Sequence, residues 1–187
     1  MRDSVSETLY TADEIRVCID KKAQNVVQCL IEKNLSLSTA ESCTGGLLSS
    51  AITSVPGSST VFGCGIVSYS VEVKEGVLGV PADIIERFGV VSAETATSMA
   101  ERVMEISKSD ISVGITGLAG PAGENDPLPV GTVYIAIAYK DRITADNLKE
   151  DAENLRLYEI GSFDREINRL LTVLKVLERL EEITAGI

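Results

Sequence analysis

Thr39-Ala40-Glu41-Ser42-Cys43-Thr44-Gly45-Gly46 gathers hydroxyls, a thiol, a carboxylate and two glycines between an alternating apolar segment and a run of small residues. The alternation of Leu35, Leu37 and then Thr39 predicts a strand, and the run Leu47 to Ala51 predicts a helix. A strand turning through glycines into a helix is the opening of an α/β unit. The helix N-terminus leaves backbone N–H groups unpaired and carries partial positive charge, so it can hold a phosphate or a developing oxyanion. A tight strand-glycine-helix connection without any ligand has the same spelling, so this stretch speaks to architecture before it speaks to chemistry.

The chain contains no histidine. That excludes Ser-His-Asp and Cys-His nucleophile systems within one chain and removes the commonest ligand of catalytic zinc. A nucleophile here needs a lysine, a carboxylate, a tyrosinate or an amino terminus as its base. Lysine is the usual partner in a histidine-free hydroxyl mechanism, because a desolvated amine loses its proton near neutral pH. Cys43 borders Ser42 and is the rival nucleophile, but nothing cationic of the histidine type is present to lower its pKa.

At 187 residues, with 44% hydrophobic and 24% charged residues, the chain suits one compact domain with its own core. The expected division is an N-terminal segment, 1–10, and a single domain over 11–187. A net charge of -11 without a basic stripe disfavours nucleic-acid binding and adhesion to anionic membranes. No run of about 18 apolar residues is present to span a bilayer, and Met1 to Tyr10 is polar and charged rather than signal-like. The expected compartment is the cytoplasm. The four cysteines, Cys18, Cys29, Cys43 and Cys64, have no metal-binding spacing. Cys18 and Cys29 lie about three helical turns apart and read as small buried apolar residues on one helix face.

Along the chain, a helix is expected from Thr11 to Lys33, with Val17, Ile19, Val26, Val27, Leu30 and Ile31 as its apolar face. Val55 to Ser59 reads as a turn and Val61 to Ser70 as a strand, in which Gly63 and Gly65 suggest a bulge or a close backbone approach. Pro81 opens a short helix that Gly89 ends, and Ser92 caps a longer one reaching Lys108, with Glu94 in its first turn. Strands follow at Ile111 to Ile115, Val130 to Tyr139 and Leu155 to Ile160. Thr144 to Asn154 is a polar excursion, and Asp164 or Ser162 caps a final amphipathic helix to about Ile183. Helices alternating with about five strands predict an α/β fold, a single-domain three-layer α/β/α sandwich on a mainly parallel mixed sheet.

Ligands in such sheets gather beyond the carboxyl ends of strands. Two loops fall there: Ser42 to Gly46, and Thr116 to Gly123 with its glycines Gly117, Gly120 and Gly123. A third piece is Tyr69 with Lys74, a phenol and an amine five residues apart at the start of a helical turn.

Together these pieces resemble the C-terminal domain of the CinA family, the nicotinamide-nucleotide amidases. Ala40-Glu41-Ser42-Cys43-Thr44-Gly45-Gly46 is similar to the family's opening signature, and Val55-Pro56-Gly57-Ser58-Ser59 to the turn that follows it. Val67-Ser68-Tyr69-Ser70 through Lys74 to Leu78-Gly79-Val80 resembles its central block. Gly89-Val90-Val91-Ser92, Thr116-Gly117-Leu118-Ala119-Gly120-Pro121 and Pro129-Val130-Gly131-Thr132-Val133 continue the pattern in order. The resemblance runs from about Thr11 to Ile183 and implies a stand-alone form, without the larger N-terminal domain of many relatives. This chain departs from the family in having Val71 where an asparagine is usual, Cys64 for a second glycine and Leu128 for a lysine. The usual Gly-Asp-Arg is expanded to Gly161-Ser162-Phe163-Asp164-Arg165, and the acidic excursion after Tyr139 is an insertion.

The resemblance implies hydrolysis of the carboxamide of nicotinamide mononucleotide. Ser42 would be the nucleophile, neutral Lys74 its base, and Tyr69 the partner that orients the lysine or relays its proton. Thr116 would make a polar contact across the pocket. Thr44, Gly45 and Gly46 on one loop, with Gly117 and Gly120 on the other, would hold the oxyanion or the phosphate. Arg156 and Arg165 are the cationic candidates for the phosphate, which favours a forked guanidinium. No metal or cofactor is required. The expected partner is a small nucleotide substrate, in a homodimer or higher homo-oligomer. Two competing readings remain: a non-catalytic nucleotide- or phosphate-binding regulatory module, and a structural dimerisation domain that uses the last helix.

Overall fold

The computed structural model describes residues 11–121, 128–139, 158–159 and 164–186. Thr11 opens helix α1 (Ala12–Lys33), its side chain accepting from the Glu14 amide while the Glu14 carboxylate accepts from the Thr11 N–H at 2.8 Å. Both otherwise orphaned donors are satisfied, and Asn34 in a left-handed conformation ends the helix. Its buried stripe is Ile15, Ile19, Ala23, Val26, Val27 and Leu30. Cys18 is exposed and Cys29 only partly buried, which corrects the expectation that both pack as core residues. The reason is rotational: neither lies on the stripe, and Val17, 68% exposed, also falls outside it.

Strand β1 (Leu37–Glu41) is buried at every position, because it is flanked on both sides by parallel partners, β2 (Phe62–Val67) and β3 (Ile111–Gly117). β3 pairs antiparallel with β4 (Thr132–Tyr139), and β4 with the short β5 (Tyr158–Glu159). The strand order is β2-β1-β3-β4-β5. The sheet is mixed, as expected, with its parallel half gathered around β1. Gly63 is the extra residue of a bulge, since Leu37 pairs with Phe62 and Ser38 with Cys64. Gly65 supplies a close approach: a Cβ there would lie 2.7 Å from Ser49 Oγ.

Helices cover both faces. On one lie α1, α2 (Leu47–Thr53) and the last helix, numbered α6 (Arg165–Gly186); on the other lie α3 (Val71–Val73), α4 (Ala82–Phe88) and α5 (Ala93–Ser107). α3 runs directly into a wider π turn, Lys74–Leu78. Ile111, Val113 and Ile115 with Val133, Ile135 and Ile137 point into the core beneath α1, α2 and α6, while Ala136 and Ala138 meet Ala96 and Ala100 of α5. Gly114 lets α5 lie against the sheet, because a Cβ there would come within 2.2 Å of the Ala96 carbonyl. Helix ends follow the expected chemistry: Ser92 caps α5, and Asp164 Oδ1 accepts from the Ile167 amide at 2.9 Å to cap α6. Pro81 stands just ahead of α4 rather than inside it. The Thr144 to Asn154 excursion, Gly123 and Ser162 lie outside the described residues. Among the described residues no helix is long and apolar enough to cross a membrane.

Candidate functional site

Ser42 follows the last residue of β1, at the carboxyl end of the parallel strands. Its amide donates to the Ile115 carbonyl of β3 at 3.0 Å, and the Ser68 amide, just past β2, donates to the Glu41 carbonyl at 2.8 Å. Ser42 therefore sits between three strand ends, the usual place for a ligand in this architecture. Alternation sets its direction: Ala40 packs with Leu78 of the π turn. Two residues later Ser42 meets Lys74, one turn before Leu78.

Lys74 Nζ lies 3.0 Å from Ser42 Oγ and donates to the Ser68 carbonyl at 2.6 Å. The lysine is 0% exposed. Burial disfavours the ammonium and lowers its pKa from the ordinary lysine value of 10.5. Among the described residues no carboxylate pairs with it. The pairing is a buried hydroxyl facing a buried amine that releases its proton more readily than a solvated lysine. Burial pushes the neighbouring Cys43 thiol the other way, from 9.0 to about 11, so the thiol stays protonated at neutral pH.

The N-terminus of α2 is already filled. The Glu41 carboxylate accepts from the Gly46 amide at 3.0 Å, the Leu48 amide at 3.1 Å, the Ser49 amide at 2.8 Å and the Ser49 hydroxyl at 2.6 Å. The Gly45 amide donates to the Ser42 carbonyl at 3.0 Å. The expectation that the Gly45–Gly46 amides would face an oxyanion or phosphate is therefore corrected, because a carboxylate of the protein's own occupies that dipole. Both glycines instead take positive φ, +61° and +93°, which bends the chain from strand to helix. Among the described residues the amides of Cys43 and Thr44 have no carbonyl acceptor. Thr44 Oγ1 is buried without a hydrogen-bond partner among the described residues.

The structure joins Tyr69, Arg165 and Gly120. Arg165 donates to the Tyr69 phenol oxygen at 2.9 Å and to the Gly120 carbonyl. Tyr69 is 59% exposed. Its expected contact with Lys74 is corrected: the Ser68 carbonyl orients the amine, and the Tyr69 ring stands at the rim, turned to the arginine. Thr116 is buried and donates to the Val90 carbonyl at 2.8 Å, which pins the loop ahead of α5. Gly117 pairs with Val133 in the ladder, where a Cβ would strike the Thr132 carbonyl at 2.8 Å, so packing requires that glycine. Arg156 lies outside the described residues.

Three residues outside the expected set, Arg169, Asn168 and Ser68, also support the site. Arg169 donates from Nε to the Cys43 carbonyl at 3.1 Å and from Nη2 to the Thr44 carbonyl at 2.7 Å. Asn168 donates to the Ala119 carbonyl at 3.0 Å. The first turns of α6 thus hold both glycine loops at once. The available signal was spacing, since Arg169 is one helical turn beyond Arg165. Ser68, the third, is fully buried and sits in the Val67-Ser68-Tyr69-Ser70 block without a side-chain type that singles it out.

The sequence profile of CinA C-terminal domains matches residues 19–184. A provisionally named competence-damage inducible protein of Caldicellulosiruptor bescii is 41% identical over 162 residues, which are 87% of this chain and 38% of that protein. The chain thus spans well under half the length of that relative. A crystal structure of a CinA superfamily protein from Klebsiella pneumoniae superposes with a TM-score of 0.79 at 28% identity, covering 90% of this chain and 99% of that one. One from Escherichia coli gives 0.76 at 30% identity, covering 99% of both chains.

Proposed function

This chain belongs to the CinA C-terminal domain family, and from that premise we propose that it hydrolyses the carboxamide of nicotinamide mononucleotide to nicotinate mononucleotide and ammonia. The observation that carries the reading is the buried Lys74 amine 3.0 Å from the Ser42 hydroxyl. A neutral amine has one lone pair, and it takes the Ser42 proton as Oγ forms a bond to the carboxamide carbon. The carbonyl π pair moves onto oxygen. Among the described residues, the amides of Cys43 and Thr44 have no carbonyl acceptor and the Thr44 hydroxyl has no partner, and these donors next to Ser42 receive that oxyanion. Collapse expels the nitrogen, which leaves as ammonia with the proton from Lys74. Water then attacks the acyl-serine, Lys74 takes its proton, and the C–O bond to Ser42 breaks with return of that proton to Oγ. The exposed Arg165, with guanidinium N–H groups beyond those used for Tyr69 and Gly120, is the cation for the substrate phosphate at the rim.

The test is ammonia release from nicotinamide mononucleotide, run beside free nicotinamide and glutamine. Turnover of the mononucleotide is expected, with Ser42→Ala reducing it on the order of 10⁴ to 10⁶-fold and Cys43→Ala retaining most of it. Activity that survives Ser42→Ala and disappears in Cys43→Ala would overturn the assignment.

A further inference from the structure

Ser68 uses two of its three polar groups: its amide donates to the Glu41 carbonyl at 2.8 Å, and its carbonyl accepts from Lys74 Nζ at 2.6 Å. Its hydroxyl, on a residue with 0% exposure, has no hydrogen-bond partner among the described residues. Leaving a buried hydroxyl unpaired costs free energy, so the question is which state of the site uses it.

The neutral amine needs little. Its lone pair accepts from Ser42, and one N–H goes to the Ser68 carbonyl. Once Lys74 has taken the serine proton it has three N–H groups, a full charge and no water around it. Among the described residues the anionic candidates are otherwise engaged, uncharged or turned away. Glu41, at the end of β1, has both carboxylate oxygens bonded to the start of α2. Cys43, on the β1–α2 turn, is held protonated by burial. Tyr69 at the rim is joined to Arg165 of α6. On the lysine's own element, Glu72 is exposed and Glu75 only partly buried, and neither pairs with Nζ. From β3, Thr116 donates its hydroxyl to Val90 instead.

We propose that the Ser68 hydroxyl is the acceptor for the ammonium form of Lys74, so that Ser68 holds the charged base through two atoms, its carbonyl and its Oγ. This role rests on the Ser42–Lys74 reading and makes Ser68 a positioning residue: it acts on Lys74 and needs no contact with substrate. Because it favours the charged form, its removal should make the amine easier to deprotonate and the proton-holding intermediate harder to reach.

The experiment is a pH titration of the Lys74 side-chain carbon next to Nζ by ¹³C NMR, in full-length protein without substrate, the resonance assigned by its loss in Lys74→Met. Ser68→Ala is expected to lower the midpoint by about one pH unit, a tenfold change in proton affinity, while Ser68→Thr, which keeps the hydroxyl, holds the wild-type midpoint. Maximal ammonia release from nicotinamide mononucleotide should fall roughly 3- to 10-fold in Ser68→Ala, within the range of a single positioning contact, with the ascending limb of its pH profile displaced to lower pH. An unmoved midpoint in folded Ser68→Ala overturns the inference. Should the alanine variant not fold, Ser68→Cys, a weak acceptor, must move the midpoint in the same direction, and an unmoved value there is equally fatal. A shifted midpoint in a protein that releases no ammonia keeps the Ser68–Lys74 link and discards only the substrate.

Discussion

Lys74 lies with no exposed surface and no carboxylate partner among the described residues, an expensive arrangement for a residue normally found in water. Its folded-state pKa is lowered by burial, so the base form becomes available below the ordinary value of 10.5. The rate should therefore rise with pH and level off below about 10.4. Lys74→Arg should be as inactive as Lys74→Ala, because a guanidinium keeps its proton; substantial activity in the arginine variant would mean that only charge is needed. Stability carries the matching sign. Between the lowered folded value and the unfolded one, the unfolded chain binds more protons, so stability rises with pH through that window, and burying the lysine costs most below it. Lys74→Met should thus stabilise the fold at pH 7 by about 1–2 kcal/mol. That gain should shrink as pH approaches 10.5, as urea unfolding at several pH values would show.

Helix α2 depends on one carboxylate. Glu41 satisfies three amides and a serine hydroxyl at its N-terminus, and the carboxylate itself is fully buried. Charge-assisted bonds to helix N–H groups are among the stronger kind. Glu41→Gln would turn an amide N–H₂ toward some of those donors and should cost about 2–4 kcal/mol. Ser49→Ala, which removes one donor and leaves the carboxylate bound to the backbone, should cost about 1 kcal/mol. Denaturant midpoints of the two variants check the order; equal small losses would mean that α2 is held by Leu48 and Ile52 packing alone.

At the scale of the whole molecule, α6 connects the packing of one face to the geometry of the site. It lies against α1, with Arg16–Glu166 and Lys22–Glu181 ion pairs and an Asn25–Glu181 hydrogen bond of 2.8 Å along the seam. Its first turns then reach Ala119, Gly120, Cys43 and Thr44. The exposed Arg16–Glu166 pair contributes little by itself. Arg169 matters more, since its fork binds two successive carbonyls of the turn that presents Ser42. Arg169→Lys supplies charge without the fork and should lower turnover about 10- to 100-fold, because a small displacement of a nucleophile carries a penalty of that size. Thermal unfolding and ammonia release measured on the same preparation separate this from a general loss of fold: turnover falling in step with the folded fraction would remove Arg169 from the site's support.

What could be read from residues alone was local and periodic. The strand-glycine-helix spelling around Ser42, the capping residues Thr11, Ser92 and Asp164, and the glycines of β2 determined element types and most boundaries, because each acts through neighbours within a few positions. The resemblance added the pairing of Ser42 with Lys74, which the fold then brings to 3.0 Å. Only the tertiary structure decided which donors are already in use. Glu41 fills the α2 dipole once the chain has turned back on itself, while Tyr69 turning to Arg165 rather than Lys74 and Arg169 crossing from the last helix to the first loop depend on the packing of distant segments. Hydrogen-bond partners are chosen by that packing and not by spacing in the chain, so a glycine turn that looks open in sequence can be closed by a carboxylate a few residues before it.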